Sequence, residues 1–160
     1  MYEINTYQGK SHRKHFLDWW IKKHNVSFMV EVGVRDGRTT FHLLDKNPNL
    51  QIIAIDKSIK LFYNTEIAKK YGKRLIPIEA YSDVASTKLL DNSQELIFID
   101  ADHSYEWVKK DIMCYRPKLK KDGWLTGHDI DYLGVKKAVD ETIDYYEIGP
   151  NNVWLTKIIK

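Results

Sequence analysis

The chain contains one cysteine, Cys114, in 160 residues. That excludes an internal disulfide and suits a reducing compartment, so the cytoplasm is the expected location. No apolar run approaches the length needed to cross a bilayer. Met1-Tyr2-Glu3-Ile4-Asn5 does not read as a signal peptide. Neither sign of charge dominates: 25 basic and 22 acidic residues leave a net charge of +3. That is too mild to imply a nucleic-acid partner, and the short basic clusters from Lys10 to Lys14 and from Lys118 to Lys121 read as solvated faces. Prolines number only four, and each falls at a break or an edge. With no repeat, linker or low-complexity segment, the chain reads as a single domain over residues 1–160, long enough to enclose a core.

The elements alternate. Phe16, Leu17, Trp20, Ile21 and His24 recur at helical spacing, which predicts an amphipathic helix over 12–24 that covers the sheet or a cleft. A buried strand at 28–32 follows. Thr40, Leu43 and Leu44 mark a helix that ends at Asn47-Pro48-Asn49. Further strands are expected at 51–55, 74–78 (an edge strand, because of Pro77), 95–99 and 124–127. Helices are expected at 58–70, from an Asp83 cap through Leu90, at 105–115 and at 135–143. Tyr145 to Ile148 and Val153 to Ile158 read as a closing hairpin. This alternation predicts an α/β fold with a mostly parallel, doubly wound, Rossmann-like sheet and a C-terminal antiparallel hairpin. Trp19 and Trp20 are adjacent and cannot share one helix face. With Trp107, Trp124 and Trp154 they suggest exposed aromatic surface and a homo-oligomer.

The most informative stretch is Glu31-Val32-Gly33-Val34-Arg35-Asp36-Gly37, a strand end passing through a glycine turn into a helix. Gly33 and Gly37 would let the backbone turn tightly and approach a ligand. The next strand ends in Asp56. A glycine turn followed about 20 residues later by an acid at a strand end suits a nucleoside, with the carboxylate on the ribose hydroxyls. The spacing is Gly-x-x-x-Gly, not Gly-x-Gly-x-x-Gly, which favours S-adenosylmethionine over a dinucleotide. Glu31 lies inside a strand, where a carboxylate is costly unless paired. It is expected to hydrogen-bond the turn backbone or a water near the methionine ammonium. A second constellation follows: Asp100, Asp102 and His103 end one strand, and His128-Asp129 ends the strand expected beside it.

These motifs resemble class I S-adenosylmethionine-dependent methyltransferases. Leu96-Ile97-Phe98-Ile99-Asp100-Ala101-Asp102-His103-Ser104-Tyr105-Glu106 is similar to the fourth-strand motif of a branch of small O-methyltransferase-like proteins. Gly123-Trp124-Leu125-Thr126-Gly127-His128-Asp129 and Gly134 to Asp140 are similar to that branch's fifth strand and following helix. The resemblance covers residues 28 to 145 and implies methyl transfer to an oxygen of a small molecule. It implies Glu31, Gly33, Gly37, Asp56, Tyr81 and Asp100 as cofactor contacts, Tyr81 beside the adenine.

Two chemistries fit the strand ends. In one, Asp100, His128 and Asp129 hold a divalent metal, as related metal-dependent O-methyltransferases do with an acid after strand four and a polar pair after strand five. Magnesium or manganese is then expected, although a histidine in the pair suits manganese better. In the other, His128 or His103 is a metal-free general base beside Asp100. The alternatives in function are a non-catalytic S-adenosylmethionine- or nucleotide-binding module and a hydroxylase-like relative on the same fold.

Overall fold

The structure is a computed structural model and describes residues 1–158. Helix α1 spans Arg13–Lys23, strand β1 Phe28–Val32, α2 Arg38–Lys46 and β2 Gln51–Asp56. Then come α3 (Thr65–Tyr71), β3 (Leu75–Glu79), α4 (Ser82–Ser86), β4 (Gln94–Ile99), α5 (Tyr105–Tyr115), β5 (Leu119–Gly127), α6 (Leu133–Thr142), β6 (Glu147–Ile148) and β7 (Trp154–Lys157). The strands form one sheet in the order β3-β2-β1-β4-β5-β7-β6. Strands β3, β2, β1, β4 and β5 are parallel, and β7 runs antiparallel to both β5 and β6. This is the doubly wound sheet with a terminal hairpin that the alternation predicts.

Alternate strand residues face opposite layers, as the strand's two-residue period requires. Met29, Ile52, Ala54, Leu96 and Phe98 pack under α1 and α2, with Phe16, Leu17, Trp20, Leu43 and Leu44. Val30, Val32, Ile53, Ile97 and Ile99 face the other layer, with Val108 and Ile112 of α5 and Val135, Ala138 and Val139 of α6. The chain begins at the centre of the sheet, builds outward to β3, and returns to β4 on the other side of β1. Strand order thus reverses between β1 and β4, the position where open parallel sheets leave a crevice beyond their carboxyl ends.

Several boundaries differ from the sequence expectation. Instead of one helix over 58–70, a short turn at Ile59–Leu61 precedes α3. The reason is local: the Asn64 side chain accepts the Ile67 N–H at 3.0 Å and caps α3 itself. Helix α4 ends at Ser86, not Leu90, and Asp83 lies in its first turn rather than at its cap, accepting the adjacent Val84 N–H and the Lys110 ammonium. Strand β5 begins at Leu119 instead of Trp124; its polar start, Lys120-Lys121-Asp122, concealed the pairing that resumes after an irregularity between Gln94 and Leu96. The tryptophans are less exposed than adjacency suggested. Trp20, Trp124 and Trp154 are buried, and Trp19 packs against Tyr7 and Phe16. The aromatic surface invoked for self-association is therefore largely spent inside the fold.

Candidate active site

A cleft of about 830 Å³ opens at the carboxyl ends of β1, β2, β4 and β5. The first turn of α1, the start of α4 and one face of α5 wall it. At one end, the β1–α2 turn carries Gly33 at φ 88 and Gly37 at φ 78, both in the left-handed region that side chains disfavour. A Cβ on Gly33 would lie 2.3 Å from the Asp100 carbonyl oxygen and 2.6 Å from the Ala101 Cα. Gly33 is thus required by the closeness of the β1 and β4 ends, which seats the glycine turn against Asp100. Gly37 begins α2, and its missing Cβ makes room for the Phe41 ring.

Asp56 ends β2 and joins two loops. One carboxylate oxygen accepts the Arg35 N–H at 2.8 Å and the other the Ser58 N–H at 3.0 Å. A carboxylate has about four lone-pair sites, so acceptor capacity is left for a ligand. Glu31 is buried, and its partner is the Thr40 hydroxyl in the first turn of α2, not the turn backbone that the sequence suggested. Burial pushes its carboxyl up to about 8, against the Thr40 hydrogen bond, which favours the ionised form. Tyr81 stands exposed at the rim with its ring near Trp107.

At the other end, the ends of β4 and β5 lie side by side, Ile99 opposite Gly127. Asp100 is largely buried; Arg13 Nε lies 3.1 Å from one of its oxygens and His128 Nδ1 3.6 Å from the other. Burial raises the Asp100 pKa, while the charges of Arg13 and then His128 oppose that rise. His103 Nε2 lies 2.7 Å from one Asp129 oxygen, and His128 Nδ1 2.9 Å from the other. The His103 ring also stacks on Tyr132. Asp129 adopts φ 56, a conformation that aspartate tolerates better than most residues. Asp102 stands apart: its carboxylate accepts the Ser104 N–H at 2.7 Å and shapes the loop into α5.

Asp100, His103 and Asp129 offer ligand atoms that all lie within 4.8 Å of one another. The sequence placed His128, not His103, in that set. His128 is buried and lines the same cleft, and its Nε2 has no hydrogen-bond partner among the described residues. Arg13 was missed altogether, being taken as part of a solvated basic cluster. The available signal was its place in the first turn of an amphipathic helix expected over the cleft.

A glycine turn, a strand-end acid and an acid-histidine cluster surround a crevice at the switch point of a Rossmann-like sheet, the place where open parallel sheets bind ligands. Residues 30–130 match the family described as "Methyltransferase domain", and the chain belongs to that family. It has the class I methyltransferase fold. Among solved structures, it is similar to a candidate caffeoyl-CoA O-methyltransferase from Staphylococcus aureus, with 17% identity and TM-score 0.72 over 99% of this chain and 88% of that one. It is also similar to the O-methyltransferase NovP, with 12% identity and TM-score 0.71 over 92% and 80%. A third is the 1,6-didemethyltoxoflavin-N1-methyltransferase of Burkholderia thailandensis, solved with S-adenosylhomocysteine, with 12% identity and TM-score 0.63 over 94% and 80%. No curated protein sequence matches the chain. Among the described residues no helix is long and apolar enough to cross a membrane.

Proposed function

We propose that this methyltransferase uses S-adenosylmethionine and methylates an oxygen of a small molecule. The observation that carries this reading is the single cleft joining Asp56, at the end of β2, to the Asp100, His103, His128 and Asp129 cluster at the ends of β4 and β5. One end offers a carboxylate to ribose hydroxyls. The other concentrates proton-accepting groups where an acceptor hydroxyl would lie. The cofactor supplies the electrophilic methyl group. The protein's part is to hold the acceptor oxygen in line with it and to take up the hydroxyl proton. Asp129 holds His103 through Nε2, which leaves the other ring nitrogen of His103 to accept that proton.

A divalent cation is the alternative chemistry for the same cluster, with His103 a ligand instead of the base. Two carboxylates and one imidazole within a few ångströms form a donor set that fits manganese better than magnesium. Asp100, His103 and Asp129 would hold the ion, which would act as a Lewis acid on the acceptor hydroxyl. The mild net charge gives no support to nucleic acid as the acceptor. Calorimetry with S-adenosylhomocysteine and with NAD tests the cofactor reading; only the former should bind. Turnover of S-adenosylmethionine against a panel of hydroxylated aromatic and aliphatic acceptors then separates an enzyme from a binding module. Binding of NAD in preference, or binding of cofactor without turnover on any acceptor, would overturn the corresponding half of the reading.

A further inference from the structure

Arg13 and Lys14 open helix α1 and line the cleft. Cations in a first turn lie at the positive end of the helix dipole, which costs stability, and no acid in that turn offsets them. Asn151 Oδ1 accepts the Arg13 N–H at 3.1 Å and ties the turn to the loop before β7. Among the described residues, Asp100 alone pairs with the Arg13 side chain, at Nε. The two terminal nitrogens of that guanidinium have no hydrogen-bond acceptor among the described residues, and the Lys14 ammonium has no partner there. Nε is buried, yet the side chain as a whole is 31% exposed, so the terminal nitrogens are the part open to the cleft. A guanidinium is always charged, and its fork of donors matches a planar carboxylate.

The cofactor cannot occupy every such group. Its methionine carboxylate is one anion, and the glycine turn offers it Arg35, which lines the cleft with its guanidinium unpaired among the described residues. Arg13 lies at Asp100, where the cluster of His103, His128 and Asp129 begins. We infer that the acceptor carries a carboxylate and that Arg13 binds it, holding the acceptor hydroxyl toward His103 and Asp129. This rests on the methyl-transfer reading above and names the class of acceptor. A single negative charge suits the place, because Asp100 and Asp129 would repel a dianion more strongly.

The test uses the full chain, S-adenosylmethionine and a panel of hydroxylated carboxylic acids, each paired with its primary amide, such as salicylate with salicylamide and lactate with lactamide. Calorimetry with S-adenosylhomocysteine and thermal melts first verify cofactor binding and folding. The wild type should favour acids over their amides by about tenfold to a hundredfold in kcat/KM. Arg13→Gln should raise KM for the acids and bring each pair to within about threefold. Arg13→Lys, which keeps the charge but loses the fork, should fall between the two. If Arg13 only positions Asp100, Arg13→Gln slows acids and amides alike, the preference stays, and the inference is overturned. It is also overturned if Arg13→Gln weakens S-adenosylhomocysteine binding as much as it weakens use of the acids, which assigns Arg13 to the cofactor's own carboxylate. A wild type that uses amides as well as acids, prefers hydroxyphenyl phosphate to every acid, or binds S-adenosylhomocysteine but methylates no acid refutes the acceptor class and leaves the cofactor reading standing. A wild type that does not bind S-adenosylhomocysteine overturns the cofactor reading, and the inference with it.

Discussion

Glu31→Gln should make the protein more stable and a poorer binder of cofactor. Glu31 ionises near 4.5 when unfolded and near 8 in the fold, where burial outweighs the Thr40 hydrogen bond. Between those values the native state holds a proton that the unfolded state has lost. Stability therefore falls as pH rises, by about 1.4 kcal/mol per unit. The penalty is absent below pH 4.5, on the order of 3 kcal/mol at pH 7, and constant above pH 8. Glutamine can accept the same Thr40 hydrogen bond and does not titrate. At pH 7 the variant should melt higher by roughly 6–12 °C, taking about 2–4 °C per kcal/mol for a chain of this size. Its advantage should shrink steadily toward pH 4.5. Circular-dichroism melts of both proteins across that range, without ligand, measure this. A difference that does not change with pH, or a variant less stable at pH 7, would refute the argument. Weaker S-adenosylmethionine binding should show above pH 8, where Glu31 carries a negative charge for the methionine ammonium and glutamine carries none.

Asp56→Ala should weaken S-adenosylhomocysteine binding by about tenfold to a hundredfold through loss of a charge-assisted hydrogen bond. Calorimetry showing unchanged affinity would remove Asp56 from the ribose site. Gly33→Ala places a Cβ 2.3 Å from the Asp100 carbonyl at φ 88. It should cost about 3 kcal/mol or more, and a melt lowered by less than about 2 °C would show that the β1–β4 contact yields. If Asp100, His103 and Asp129 hold a metal, a chelator should abolish turnover, manganese should restore it better than magnesium, and Asp129→Asn should raise the manganese concentration required. Full activity in chelator, with no metal by elemental analysis, would leave His103 and Asp129 as a metal-free base pair.

Local physics made most of the fold legible. The stripe Tyr105, Val108, Ile112 and Tyr115 marks α5 because a 3.6-residue period admits one buried face, and Pro77 marks β3 as an edge because it cannot donate to a second neighbour. The continuous apolar run Leu96-Ile97-Phe98-Ile99 marks β4 as a strand covered on both faces. The same reasoning brought the ends of β4 and β5 together, and with them Asp100, His128 and Asp129. It named His128 as the metal-binding histidine and both His103 and His128 as candidate bases; the structure sets the two rings on the two oxygens of Asp129. That meeting depends on the left-handed backbone of Asp129 and on how closely α6 packs on the His103 loop, where a Cβ on Gly134 would meet the His103 carbonyl at 2.5 Å.

The chain by itself therefore determined the order of the elements, their two-sided burial and the strand ends at which chemistry gathers. Each of these follows from near neighbours and periodicity. Tertiary structure alone decided which side chains meet across the cleft. Arg13 reaches Asp100 because α1 packs over β1 and β4, and Glu31 finds Thr40 because α2 begins directly beyond β1. Long side chains from separate elements converge within a few ångströms, and such distances are set by packing between elements, which no local pattern encodes.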